Sequence, residues 1–150
     1  MADKTLKLIP KDPYYLPHES AVAEAKQLLE GLFPAADEIT VDLGDELRFF
    51  DCGANFERVL CPLSGEEIEL ELWQDAMDRA WDTKFTDLSF INPANGEEMS
   101  LNDLIYDWPQ GFAKFALSVL NPGAPDMAAD DLAKLEALLG CKLTKIRGHY

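Results

Sequence analysis

Residues Cys61–Ile68 read CPLSGEEI, and thirty-one positions further on Asn92–Met99 read NPANGEEM. Each copy runs Pro, two residues, Gly, Glu, Glu and an apolar residue after a short leading side chain. Proline presets φ at about −65°, and glycine enters the left-handed region without steric cost. Each copy is therefore a tight turn. A chain that makes one turn twice within so short a stretch presents two similar corners, and the separation of 28 residues between Ser64 and Asn92 leaves room for one strand and one helix between them.

Periodicity on either side supplies the rest. Leu6, Leu8 and Ile9 form a short apolar stretch, and KDPYYLP is irregular because each proline disfavours helix at the residue before it. HESAVAEAKQLLEGLFP sets Val22, Ala25, Leu28, Leu29, Leu32 and Phe33 on one stripe, which predicts a helix closed by Pro34. EITVDL alternates Ile39, Val41 and Leu43 against polar neighbours, the period of a half-buried strand. Gly44-Asp45 is expected to turn, with LRFFDC and FERVLC as further strands.

IELEL alternates Ile68, Leu70 and Leu72 against Glu69 and Glu71, which predicts a strand with both glutamates on one face. From Trp73 the period changes, and Ala76, Met77, Ala80 and Trp81 follow at helical spacing. TDLSFI returns to strand. FAKFALSVL fits a buried strand or, by periodicity alone, a helix. PDMAADDLAKLEALLG predicts a helix with Asp126 at its N-cap and Gly140 at its C-cap, and CKLTKI closes as a strand.

The order is strand, helix, strand at both ends. The expected fold class is α+β, with the two units sharing one antiparallel sheet and both helices on one face, in the ferredoxin-like manner. A single domain over residues 1–150 would carry residues 52–108 as an insertion.

The repeated turn, with Cys61 leading its first copy, resembles a zinc knuckle, the metal-binding corner of zinc ribbons. Such a corner needs two thiolates two residues apart, and a second corner completes a tetrahedron around the ion. The corresponding positions here are Cys61 and Ser64, then Asn92 and Asn95. Neutral oxygen donors match neither the charge nor the softness that zinc prefers. The resemblance thus implies a degenerate zinc ribbon that keeps its turns and holds no metal. The stretches FDCGANFE and SLNDLIYDWPQGFA and the final HY are similar to those of uncharacterised small bacterial proteins with intact knuckles, a likeness that implies no activity.

Charge is the strongest global feature. The formal net charge is −15, and between Glu19 and Asp107 there are 22 acidic and 5 basic side chains, against 6 and 8 elsewhere. Such a field repels phosphate backbones, which argues against nucleic-acid binding, and attracts basic partners. An acidic surface that only keeps the chain in solution is the commoner case. No apolar run approaches the roughly 20 residues of a membrane span, and the N-terminal stretch lacks the pattern of a secretory signal. Cys52, Cys61 and Cys141 are an odd set and form no disulfide framework, so a bacterial-type, cytoplasmic protein with reduced thiols is expected.

Catalytic signatures are absent. No Gly-rich loop leads from a strand into a helix, and no spacing joins His18 or His149 to a cysteine as nucleophile and base. Neither an enzyme nor a cofactor is predicted. The aromatics Trp73 and Trp81 are expected in the core of the insertion, whereas Trp108, before Pro109, is expected as an exposed anchor.

The sequence thus predicts a non-catalytic module that docks a basic protein through Glu66, Glu67, Glu69, Glu71, Asp75, Asp78 and Asp82. Glu97, Glu98, Asp103, Asp107 and Trp108 extend that surface. Its most concrete form is an immunity protein occluding the positive active site of a toxin. The alternative is a housekeeping or structural domain with a vestigial zinc ribbon, and an enzyme with an unrecognised carboxylate site ranks third.

Overall fold

The computed structural model describes residues 3–93, 95–124 and 126–150. Among them the elements run β1 (Lys4–Pro10), α1 (Glu19–Leu32), β2 (Glu38–Phe50), β3 (Arg58–Leu60), β4 (Glu67–Ile68), α2 (Leu70–Asp82), β5 (Ser89–Ile91) and β6 (Glu98–Ser100). A short 3-10 turn at Leu101–Asp103 precedes β7 (Ile105–Asp107), β8 (Gly111–Leu120), α3 (Ala129–Leu139) and β9 (Leu143–His149). The class is α+β.

The largest sheet has the order β2-β8-β1-β9, with antiparallel ladders throughout. Strands from the two ends of the chain meet at its centre, where Leu8 faces both Leu117 and Lys145. On one face Leu6, Leu8, Phe115, Leu117 and Leu143 pack with Val22, Ala25 and Leu29 of α1 and with Leu135 and Leu139 of α3. Fully burying one such side chain is worth about 1.5–3 kcal/mol, which is why both helices stay on that face. The other face of β8 is covered too: Ala113 and Ala116 pack with Ile9, Phe50, Cys52 and Ile146. A strand buried on both sides needs no polar alternation, so FAKFALSVL is β8 and not a helix.

α1 starts where the His18 ring accepts from the Ser20 N–H at 3.2 Å and stops at Phe33, just before Pro34. At α3 the expected C-cap is present, with Gly140 left-handed. The expected N-cap is not. Ala128 takes that place without a side-chain bond, while Asp126 faces Lys145 at 3.3 Å and Arg147 at 3.7 Å.

Two further expectations are corrected. Gly44-Asp45 makes no turn between strands, because β2 runs on from Glu38 to Phe50 and shifts register against β8 between Leu43 and Arg48. Extra residues are absorbed there as a bulge, which leaves the strand continuous. IELEL is not one strand either. β3 offers β4 only two partners, Val59 opposite Ile68 and Leu60 opposite Glu67. Beyond them, burying Trp73, Ala76, Met77 and Ala80 favours helix, so Glu69 is the N-cap of α2 and Glu71 lies in its first turn. The two glutamates share no strand face.

Residues from β3 to β7 build a second core. Val59, Ile68, Trp73, Met77, Phe90, Leu101 and Tyr106 pack together, joined by Leu47 from β2 and Phe112 from β8. The Trp73 indole N–H donates to the Tyr106 hydroxyl at 3.2 Å, and that hydroxyl donates to the Leu101 carbonyl at 2.6 Å. After β2 the chain lies along the outer edge of β9. Ala54 N–H donates to the His149 carbonyl at 2.7 Å, and His149 N–H donates to the Cys52 carbonyl at 3.2 Å. Gly53, at φ 61°, is obligatory there, because a Cβ would stand 2.3 Å from the His149 carbonyl oxygen.

Candidate functional site

The two sequence repeats are two structural repeats. The first joins β3 to β4 and the second joins β5 to β6, each beginning just after its first strand. In the first, Cys61 N–H donates to the Glu66 carbonyl at 2.8 Å and Gly65 N–H to the Cys61 carbonyl at 2.9 Å. In the second, Asn92 N–H donates to the Glu97 carbonyl at 2.9 Å and Gly96 N–H to the Asn92 carbonyl at 2.7 Å. The fourth position serves alike in both: the Ser64 hydroxyl accepts from Glu66 N–H, and the Asn95 side-chain oxygen accepts from Glu97 N–H. Gly65 and Gly96 hold φ of 74° and 72°, which explains why this position is glycine twice.

The turns face one another. The Asn92 side-chain N–H donates to the Cys61 sulfur at 2.9 Å, and Asn92 is fully buried. That sulfur also accepts from the N–H groups of Leu63 and Ser64, at 3.4 and 3.5 Å. Among the described residues, no three His, Cys, Asp or Glu side chains converge as metal ligands. The Asn92 amide thus links the second turn to the thiol of the first.

These donors act on Cys61. The Ser64 hydroxyl and N–H, then the Leu63 N–H and the Asn92 amide, favour the thiolate against the opposing effect of burial and lower its pKa from 9.0 to about 7. Cys52 and Cys141 move the other way, raised chiefly by burial. Between about pH 7 and 9 the unfolded chain therefore holds a proton that folded Cys61 has released, so the contribution of Cys61 to stability rises with pH across that window and is lost as pH falls through 7. Denaturant melts across this range should show the rise. Cys61→Ser should flatten it, and an unchanged slope in that variant would exclude Cys61 as its source.

The acidic residues are placed unevenly. Glu66, Glu67, Glu69, Glu71, Asp75, Asp78 and Asp82 are exposed, as are Glu97 and Glu98, and none of these nine forms an ion pair among the described residues. Two carboxylates are committed elsewhere. Asp103 closes a capping box with Ser100, and Asp107 is held by Arg58 at 2.9 Å.

The aromatics exchange roles. Trp73 is core, as expected, but Trp81 is 70% exposed and Trp108 is half-buried, with the Arg147 guanidinium 4.9 Å above its ring. Trp81 leaves the apolar stripe of α2 and shares an exposed face with Gln74, Asp78 and Asp82, at i, i+4, i+7 and i+8. That spacing was the available signal for an exposed tryptophan.

FDCGANFE, YDWPQGF and HY come together. Cys52 donates through both its N–H and its thiol to the Gln110 side-chain oxygen, at 3.3 and 3.4 Å. The Tyr150 hydroxyl reaches Asp51 at 3.0 Å, and Lys7 bonds that hydroxyl at 2.7 Å. The last two residues are thus anchored, His149 in β9 and Tyr150 against Asp51. The three stretches join the four-stranded sheet to the second core. The chain matches no protein-family model, no curated protein and no solved structure. No helix among the described residues is long and apolar enough to cross a membrane.

Proposed function

We propose that this chain is a non-catalytic, acidic protein-binding module, most concretely an immunity protein that covers the basic active site of a toxin. The observation that carries the reading is the set of ten exposed carboxylates without ion pairs among the described residues of 66–98, the nine above and Asp87. Exposed Arg79 and Lys84 are the only cations on that stretch, too few to balance its carboxylates. Here the negative field is left open, and an open field steers a basic partner into contact. Occlusion would set these carboxylates where substrate phosphates sit.

We assign the finer architecture on the same footing. The order β2-β8-β1-β9 with both helices on one face supports a ferredoxin-like sheet. The matched hydrogen bonds of the two turns support a degenerate zinc ribbon inserted over residues 52–108. The Asn92–Cys61 bond also favours the alternative, a housekeeping domain whose insertion lost its metal and gained no partner.

Kinetics separate the two readings. A partner recovered by pull-down from native lysate would be immobilised for surface-plasmon measurements at low and moderate salt. Neutralising Glu66, Glu67, Glu69, Glu71, Asp75, Asp78 and Asp82 together should slow association by roughly tenfold or more at low salt and flatten its salt dependence. An association rate indifferent to both salt and these substitutions would sink the occlusion model and leave the housekeeping domain.

A further inference from the structure

We infer that the groove between α2 and the β2 bulge is the docking site for a basic polypeptide segment that inserts one apolar side chain beside Trp81. The inference rests on the proposed acidic binding module and names the partner chemistry of its surface. The groove encloses about 920 Å³. Leu47, Phe49, Met77 and Phe85 line it, and the Trp81 ring stands at its edge, 5.6 Å from Phe85 in an edge-on contact.

Phe85 reaches this place through an uncommon backbone, since Lys84 and Phe85 are consecutive residues with φ of 55° and 59°. Such residues are held only where surrounding structure over-determines them. Here the Phe85 N–H donates to the Ala80 carbonyl at 2.8 Å and folds the chain back under the end of α2.

Charge selects the occupant. Glu46, Asp78 and Asp82 ring the groove and form no ion pair among the described residues. Of the two cations beside it, Arg48 is already held by Asp42 at 3.0 Å, which leaves Lys84. The rim is therefore net negative on a chain of charge −15, which repels a second copy and favours lysines or arginines flanking an apolar residue. Exposed tryptophan is among the side chains that most often dominate binding energy, and its face attracts a cation laid over it.

The test uses the full chain with nitrogen-15-labelled indoles and three synthetic decapeptides: lysine–leucine, lysine only and glutamate–leucine. Trp81→Phe assigns the Trp81 indole signal. The lysine–leucine peptide should shift that signal, leave Trp73 unmoved, and bind about tenfold more tightly than the lysine-only peptide. Trp81→Ala should weaken it by about tenfold or more, with the circular dichroism unchanged because the side chain is exposed.

Equal binding of the two lysine peptides, together with a neutral Trp81→Ala, overturns the groove while the acidic module stands. Equal binding of the glutamate–leucine peptide overturns charge selection. If neither lysine peptide binds, both the groove and the module reading fall.

Discussion

Replacing Ser64, Asn92 and Asn95 together by cysteine should convert this chain into a zinc protein with one ion per molecule. The two turns already carry the same backbone hydrogen bonds, and Asn92 already touches Cys61 across the gap. Three added thiols would complete a four-sulfur set in which every ligand is of the type zinc prefers. Structural zinc binds such sets with roughly 10–16 kcal/mol of apparent free energy. Part of that offsets the loss of the amide–thiol bond and the release of thiol protons, so a stabilisation on the order of 5 kcal/mol is expected.

For a chain of this size that corresponds to a rise in Tm of roughly 10–20 °C. Elemental analysis, the thiolate absorption of the cobalt-substituted variant, and melting with and without chelator measure it. The parent chain should hold no stoichiometric zinc, and chelator should leave its Tm where it was. A folded triple variant that takes up no metal would show that the turns do not converge on one point.

Phe112→Ala should cost about 3–5 kcal/mol, the usual range for truncating a buried phenylalanine. Phe112 is fully buried and belongs to β8, yet its ring packs on Phe49 at 5.0 Å and on Phe85 at 5.4 Å, inside the second core. Its N–H is also taken by the Asn102 side-chain oxygen at 3.1 Å. Truncation opens a cavity where the sheet meets residues 52–108, so the Trp73 indole and the α2 amides should lose exchange protection before the amides of β1 and β9 do. Denaturant melts and native-state hydrogen exchange report both effects. A cost below about 1 kcal/mol would mean that the site collapses around the smaller side chain and that Phe112 does not join the two cores.

Much of the fold was legible because a local period carries it. The stripe from Val22 to Phe33 made α1, and the alternation of Ile39, Val41 and Leu43 made the first half of β2. The repeat made two turns with matching hydrogen bonds, since Pro and Gly restrict the backbone wherever they stand. The acidic face was legible in outline, because carboxylates are seldom buried unless paired, and these stay exposed.

Where two local readings compete, however, sequence alone does not arbitrate. Leu70 and Leu72 alternate as a strand would, but β3 is too short to pair with them, and the stripe from Trp73 to Ala80 wins. Gly44-Asp45 has the residues of a turn, but pairing with β8 on either side keeps β2 in one piece.

Trp81 and Trp108 differ little as isolated residues. Their exposure follows from what stands beside them: the guanidinium of Arg147, thirty-nine positions along the chain, lies over Trp108, while the open groove beside the β2 bulge leaves Trp81 in solvent. Local periodicity and turn chemistry thus determined α1, the first half of β2, α3 and the two repeated turns. The tertiary structure alone decided that Trp108 is shielded and which carboxylates stay unpaired, because both depend on contacts between residues that the chain order keeps far apart.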